Sequence, residues 1–307
     1  MIYDSAADLI GNTPLMHAKR FCAEAGTDAD VVVKLESRNP GGSAKDRIAL
    51  NMILEAEARG EIRPGDTLIE ATSGNTGVGL GVVAAARGYR VVLTMPETMS
   101  VERRKILKAL GIEIVLTDGK AGMAGANEKA EALKNELPGS IRMMQFDNPD
   151  NPAAHEKTTG PEIWKDTGGK LDALVAGVGT GGTVCGTGRF LKKKDPSVQV
   201  VAVQPEESPV LTGGGAGAHG IQGIGANFVP KNYDPSVIDR VVSVSTQEAI
   251  DTAKRFMRTE GVLCGISGGA ALCGALKHAE TSRKKGLTIV VILPDTGERY
   301  LSTDLFA

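Results

Sequence analysis

The sequence predicts an α/β protein of two doubly wound domains built on mostly parallel sheets. Short apolar, β-branched runs alternate with helix-period segments along nearly the whole chain, the pattern of strands covered by helices on both faces. The junctions between them are rich in glycine and hydroxyl residues. The alternation falls into two clusters, so the expected ligand site is the cleft between two domains.

The elements follow in order. Val31-Val32-Val33-Lys34-Leu35 reads as a short buried strand. Ile48, Ala49, Met52, Ile53 and Ala56 then recur at helical spacing, with Gly60 as a stop. Thr67-Leu68-Ile69 is a strand, followed by a small-residue helix from Thr76 to Arg87 that Gly88 ends. Arg90 to Leu93 is a strand, Ser100 caps a helix through Leu110, and Ile112 to Leu116 is a strand again. The second cluster runs Leu171 to Ala176 (strand), a glycine-rich turn, a helix to Lys194, and a strand from Val198 to Val203. Leu211 to Phe228 reads as a long ordered loop, a length that is usually functional. Ser245 and Glu248 have capping-box spacing for a helix to Gly261. A helix from Ser267 to Lys285 leads into the buried strand Thr288 to Leu293.

Composition narrows the function. The chain has 307 residues with 35 Lys and Arg against 37 Asp and Glu, so it lacks the basic excess that nucleic-acid binding requires. The 39 glycines have no collagen-like period and point to tight turns and close backbone approaches. Cys22, Cys185, Cys264 and Cys273 form no CxxC pair and the four histidines no cluster, so no metal site is expected. The last three of these cysteines sit among small residues and read as core. Few cysteines, no basic leader at the N-terminus and no membrane-length apolar run make the cytoplasm the expected location.

Four motifs carry chemistry. Gly177-Val178-Gly179-Thr180-Gly181-Gly182-Thr183 follows a strand and opens a helix, where backbone N–H groups can cradle a phosphate. The literal GxGxxG, with Glu206 after the next strand, also fits a dinucleotide site, and the motif alone does not choose between phosphates. Lys45 falls in the first turn of a helix, where a cation opposes the macrodipole. It is either an ordinary solvated lysine or one that is covalently used. Thr72-Ser73-Gly74-Asn75-Thr76-Gly77 is longer than a helix cap needs, which favours a nest of donors for a carboxylate. Gly265-Ile266-Ser267-Gly268-Gly269 matches the hydrolase elbow, but no acid and then histidine follow in the required order. Ser267 is left as a helix N-cap or a hydroxyl presented to a ligand. Glu102-Arg103-Arg104-Lys105 reads as a solvated helix face.

Together these motifs resemble the cysteine synthases, or O-acetylserine sulfhydrylases, of the fold-type II pyridoxal-phosphate enzymes. The resemblance also takes in Gly11-Asn12-Thr13-Pro14-Leu15, Gln145-Phe146-Asp147-Asn148-Pro149, Thr158 to Ile163, Ile221 to Gly225 and Pro294 to Tyr300. The stretch Ile221 to Pro230 looks more like the A-type. Departures are small: Gly268 stands where a second serine is common, and Ala44 where a larger residue is.

The resemblance implies a tryptophan synthase β-like fold with pyridoxal 5'-phosphate in the interdomain cleft. It implies a smaller mobile domain, 41–149, for the substrate carboxylate, and a larger one, 1–40 with 150–307, for the cofactor phosphate. Lys45 would form the Schiff base and move the Cα proton. Asn75 would bond the ring hydroxyl oxygen, Gly179, Thr180, Gly181, Gly182 and Thr183 the phosphate, and Ser267 the pyridine nitrogen. Thr72, Ser73, Gly74, Thr76 and Gln145 would take the substrate carboxylate. The implied activity is β-replacement, giving L-cysteine and acetate from O-acetyl-L-serine and sulfide by way of α-aminoacrylate. The implied assembly is a homodimer able to dock the C-terminal tail of serine acetyltransferase. The alternatives are a cystathionine β-synthase-like or O-phosphoserine-using enzyme, an NAD-dependent dehydrogenase resting on Gly177, Gly179, Gly182 and Glu206, and a binding protein with an unreactive Lys45.

Overall fold

The computed structural model describes residues 2–307, except for the side chain of Glu102, so the part of the expected solvated face that rests on Glu102 lies outside the described residues. In chain order the first elements are β1 (Leu15–His17), α1 (Lys19–Ala25), β2 (Asp30–Leu35), α2 (Lys45–Ala58), β3 (Thr67–Ala71), α3 (Asn75–Arg87) and β4 (Arg90–Pro96). Then come α4 (Val101–Ala109), β5 (Glu113–Thr117), α5 (Gly122–Glu136), β6 (Ser140–Arg142), α6 (Asp150–Lys157), α7 (Thr159–Asp166) and β7 (Ala173–Gly177). The last are α8 (Gly182–Lys194), β8 (Gln199–Pro205), β9 (Arg240–Val244), α9 (Thr246–Glu260), α10 (Ile266–Thr281) and β10 (Thr288–Leu293).

The chain divides into two compact units. One holds Asn39–Asn151 with the N-terminal segment through Ile10, and the other holds Gly11–Arg38 with Pro152–Ala307. The sequence places residues 1–40 wholly in the larger unit. The segment through Ile10 leaves it because the 3-10 turn Ala6–Leu9 packs on α3, with Ala7 buried.

The smaller unit is a four-stranded sheet in the order β5-β4-β3-β6, parallel throughout. The chain winds outward from β3 to β5, and α5 then returns it to the other side of β3. Strand order therefore reverses between β3 and β6, and an open α/β sheet binds ligands at the carboxyl ends of the strands at such a point. Ile69, Ala71 and Val92 pack against Ala126 and Ala130 of α5 on one face. On α3, Gly77 and Gly81 admit close neighbours: a Cβ at either would stand 2.6 Å from a side-chain tip, Leu93 Cδ1 and Ile112 Cδ1 respectively.

The larger unit is a six-stranded sheet in the order β1-β2-β10-β7-β8-β9, parallel except for the β1–β2 pair. Here the reversal lies between β7 and β10. Alternate residues of one strand enter different cores, as a sheet covered on both faces requires. Val31, Val33 and Val175 join the Phe256 and Leu272 core, while Val32 and Leu174 join Val184 and Leu191. Lys34 is completely buried in β2: its Nζ meets Glu162 at 2.8 Å and donates to the Thr13 carbonyl at 2.6 Å. Glu162 also accepts from the Asn12 N–H, and the Thr13 hydroxyl donates to buried Glu36, so the Gly11–Leu15 segment is tied down by buried charge.

Some expectations shift. α10 ends at Thr281, four residues before the expected Lys285, because Ser282 is already extended and the polar Ser282–Lys285 run has nothing apolar to bury. Leu211 to Phe228 holds no strand or α-helix beyond the 3-10 turn Val210–Thr212, and the loop is pinned by side chains: the Leu211 N–H donates to Gln204, and the Ser208 hydroxyl to Asn227. Arg104 is not simply solvated but folds back to donate to the Glu97 and Met99 carbonyls. All four cysteines are buried and unbridged. Among the described residues no helix is long and apolar enough to cross a membrane, and no cluster of ligating side chains could hold a metal ion.

Candidate active site

The predicted site residues form two sets, one in each unit, with Thr72 to Asn75 and Gln145 at the strand-order reversal of the smaller unit and Gly179 to Thr183 at that of the larger. In the smaller unit, β3 delivers Thr72 to Asn75 and β6 delivers Met143 to Gln145 at neighbouring carboxyl ends. The loops meet where the Thr76 hydroxyl donates to Gln145 Oε1 at 2.6 Å. Gln145 is held again through its carbonyl, which accepts from Asn151 Nδ2 at 2.8 Å. Thr72, Ser73, Thr76 and Gln145 are all buried. The Thr72 hydroxyl accepts the Gly74 N–H, and the Ser73 hydroxyl lies 2.9 Å from Met99 Sδ.

The capping reading of this loop does not hold. α3 starts at Asn75, one residue before the expected Thr76, its cap is Gly74, and no side chain caps it. α4 and α9, by contrast, are capped by Ser100 and Ser245, the latter in the expected box with Glu248. The hydroxyls of Thr72 to Thr76 thus gather at a helix start that none of them caps, with the Gly74 N–H on the Thr72 hydroxyl and the Gly77 N–H on the Gly74 carbonyl.

Lys45 is the first residue of α2, half-buried, behind a cap at Ala44 that offers no side-chain bond. The turn before it is fixed by its neighbour: buried Asp46 accepts the Gly41 N–H at 2.5 Å. A Cβ at Gly41 would stand 2.5 Å from that same carboxylate. Behind Lys45, α3 presents Gly79, where a Cβ would stand 2.9 Å from the Lys45 carbonyl oxygen.

In the larger unit the turn after β7 carries Gly179 to Thr183. Gly181 sits at φ +84° as the cap of α8, and no side chain caps this helix either. A Cβ at Gly179 would stand 2.5 Å from the Gly223 carbonyl oxygen, and one at Gly181 2.9 Å from Tyr233 Cα. Only bare backbone fits, which is the requirement of a turn that brings N–H groups onto a phosphate. Thr180 is buried, and the Thr183 hydroxyl bonds His155 Nε2 at 3.1 Å, with the other ring nitrogen 2.8 Å from the Thr159 hydroxyl.

Ser267 is not an N-cap. Gly265 is the cap and Ser267 the second residue of α10, almost fully buried. Gly223 lies between it and the phosphate turn, since a Cβ there would come within 3.6 Å of Ser267 Oγ. Behind the Ser267 turn, a Cβ at Gly265 would collide with Asp295 Oδ1, and Asp295 Oδ2 accepts from the Tyr300 hydroxyl at 2.6 Å. That contact explains why the Pro294 to Tyr300 motif belongs with the site. Glu206, the acid of the dinucleotide reading, is exposed at the end of β8.

Sequence reasoning assigned no role to Glu70, His155, Asn151 or Asp295. Of these, Glu70 had left a signal: it is a lone charge in the apolar β3. Its carboxylate accepts the Met144 N–H at 2.8 Å and the Gln145 N–H at 3.3 Å. Burial pushes its carboxyl up to about 7 against the pull of those two N–H bonds.

These residues fit pyridoxal phosphate. The glycine turn forms a backbone cradle for a dianion, Ser267 offers a neutral hydroxyl, and Lys45 is a lysine at a helix start. The family model for pyridoxal-phosphate dependent enzymes matches residues 6–295. Cysteine synthase of Staphylococcus aureus is 50% identical over 305 residues, covering 99% of this chain and 97% of its own length. Cysteine synthase A of Salmonella typhi is 52% identical over 315 residues, covering 100% and 96%. The crystal structure of cysteine synthase from Entamoeba histolytica superposes with a TM-score of 0.96 at 45% identity, covering 100% of this chain and 91% of that one.

Proposed function

The chain belongs to the pyridoxal-phosphate dependent enzymes, and from that membership we propose the reaction it runs. It is a cysteine synthase, which makes L-cysteine and acetate from O-acetyl-L-serine and sulfide. The observation that carries this reading is the Thr76–Gln145 junction at the β3–β6 reversal. It gathers hydroxyls, an amide and an uncapped helix start into a receptor for an amino-acid carboxylate.

Lys45, Asn75, Gly179 to Thr183 and Ser267 would hold the cofactor. Pyridoxal phosphate, when bound, supplies the electron sink that makes the substrate's Cα–H acidic and lets acetate leave Cβ. The chain's residues do the rest. Backbone N–H groups of Gly179 to Thr183 and the Thr183 hydroxyl would take the phosphate charge without a cationic side chain. Asn75 would bond the ring hydroxyl oxygen, and the neutral Ser267 hydroxyl would serve the ring nitrogen without forcing a proton onto it. Lys45 Nζ would hold the cofactor covalently and, once released from it, would take the Cα proton and later return it. Thr72, Ser73, Gly74, Thr76 and Gln145 fix the carboxylate and so orient the Cα–H toward Lys45.

Two further points belong to the same reading. The enzyme works in the cytoplasm as a homodimer. The carboxylate receptor also accepts the C-terminal carboxylate of serine acetyltransferase, and a peptide of that tail should compete with O-acetyl-L-serine.

The test is the visible spectrum of the purified holoenzyme. Addition of O-acetyl-L-serine should shift the band, sulfide should restore it, and one L-cysteine should appear per cycle. A band that ignores O-acetyl-L-serine but responds to O-phosphoserine, or to serine with homocysteine, would transfer the chain to a different β-replacement. No band after loading with pyridoxal phosphate would overturn the cofactor assignment.

A further inference from the structure

Every residue of β3 is buried, and an acid in the middle of such a strand is an expensive choice unless it is used. Glu70 is 3% exposed. It spends its two oxygens on two consecutive backbone N–H groups, Met144 at 2.8 Å and Gln145 at 3.3 Å. Met144 sits at φ +53°, a left-handed conformation that a residue with a side chain rarely adopts. The turn it makes sends its own carbonyl to the Asp147 and Asn148 N–H groups and leaves Gln145 pointing back at Thr76. The Asn151 amide holds the Gln145 carbonyl from the other side.

We propose that Glu70 is a positioning residue for substrate recognition: its carboxylate holds the Met144–Gln145 turn in the strained shape that aims the Gln145 amide at the substrate's carboxylate. The proposal rests on the reading of Thr72 to Thr76 and Gln145 as the carboxylate receptor. Thr76 donates to Gln145 Oε1, so the Nε2 end is the one that can donate to a carboxylate. A slip of the turn would misplace that donor without touching Lys45.

The surroundings make the device sensitive to pH. The charged groups facing Glu70 are Arg142 on the adjoining β6, itself paired with Glu131 of α5, and Asp147 in the turn. On the other side β4 brings uncharged Leu93 opposite Glu70 and α3 covers Leu93 with Gly77, while α5 with Ala126 and Ala130 lies on the opposite face of the sheet against Ile69 and Ala71. Burial holds the carboxyl near 7. Protonation removes the charge and turns one oxygen into a hydroxyl, a weaker acceptor for its N–H, so the turn loosens as pH falls through neutrality.

The experiment compares holoenzymes of wild type, Glu70→Gln and Gln145→Ala with O-acetyl-L-serine and sulfide from pH 6 to 9. Glu70→Gln keeps the size and one acceptor but sets an NH2 against the second N–H. Its KM for O-acetyl-L-serine should rise about tenfold at pH 8, the loss of one charge-assisted bond. Its kcat and visible band should stay within about twofold of wild type, since Lys45 is untouched. The KM ratio of variant to wild type should shrink toward pH 6, where wild-type Glu70 is itself protonated. Because both proteins share the substrate, the titration of its amino group cancels in that ratio.

An unchanged KM for Glu70→Gln beside a raised KM for Gln145→Ala would overturn the proposal and spare the receptor. An unchanged KM for both would remove the receptor reading as well. A parallel loss of kcat, band and KM would make Glu70 merely structural. Should Glu70→Gln fail to fold, the Gln145→Ala to wild-type KM ratio carries the test: it should shrink from pH 8 to pH 6, and a flat ratio would overturn the proposal.

Discussion

Gly79 lies against the backbone of Lys45, so close that a Cβ on it would stand 2.9 Å from the Lys45 carbonyl oxygen and 3.1 Å from the Asp46 nitrogen. The reactive lysine is therefore placed by a helix–helix contact as well as by its own helix. Backbone cannot swing aside as a flexible side chain can, so Gly79→Ala must push α3 from α2 at the first turn that carries Lys45. A misplacement approaching 1 Å costs on the order of a hundredfold in rate. The expected result is a kcat lowered by at least about tenfold with the folded state retained. Gly81→Ala is the control: its Cβ meets the tip of Ile112, which can rotate away, and Leu110 Cβ at 3.2 Å, which needs a shift of a few tenths of an ångström on the side away from Lys45, so kcat should stay within about twofold. Equal losses in both variants, measured as kcat in the holoenzymes, would show that α3 packing alone and not the Lys45 contact sets the rate.

The buried Lys34–Glu162 pair gives a prediction with a built-in asymmetry. Lys34 has no exposure, whereas the Glu162 side chain keeps 14% of its own. Glu162→Ala strands a cation in the core and removes the acceptor of the Asn12 N–H. Breaking a buried pair in this way costs about 3–5 kcal/mol. Lys34→Met leaves a carboxylate that reaches solvent and still accepts from Asn12, so its cost should be about half as large or less. Urea midpoints of the two holoenzymes check the order. A reversed order would mean that the Thr13 carbonyl and Asp166, 4.0 Å from Nζ, suffice for the ammonium.

Why the fold was legible and the site only partly so follows from which signals are local. Each buried parallel strand announces itself as an apolar run, and Val31–Leu35 and Thr288–Leu293 pair in register almost as written. The half-exposed strands do not. β6 is three residues of intermediate burial and β1 a three-residue edge strand, and neither has an apolar run to be found. α5 was unmarked because only Ala126 and Ala130 of its fifteen residues are fully buried. In the site, residues within one loop were visible, Thr72 to Thr76 and Gly179 to Thr183 among them. The contacts that hold those loops join distant parts of the chain: Thr76 to Gln145, Glu70 to the Met144 and Gln145 N–H groups, His155 to Thr183. Ser267 reads in sequence as either a cap or a ligand hydroxyl, because serine at the start of a helical run fits both. The Gly265 contact with Asp295 shifts the cap and turns the serine inward.

Glu70 also predicts how stability varies with pH. Its folded carboxyl is raised to about 7 from an ordinary 4.5, so the native state binds its proton more tightly than the unfolded chain does. Between those two values the native state is protonated here and the unfolded chain is not, so stability falls as pH rises through this window and is level above it. Each pH unit in the window is worth about 1.4 kcal/mol. From pH 5.5 to 7 this one group therefore removes about 2 kcal/mol. Glu70→Gln has no such slope. Urea midpoints of the two holoenzymes at pH 5.5, 7 and 8.5 should diverge in the variant's favour up to pH 7 and then run parallel, so the variant should gain stability relative to wild type at the same pH where its KM is worst. That opposition separates a positioning residue from a structural one, since a side chain kept only for packing would lose affinity and stability together. A midpoint difference that does not change with pH would mean that Glu70 is ionised throughout and that its two N–H bonds fully offset its burial.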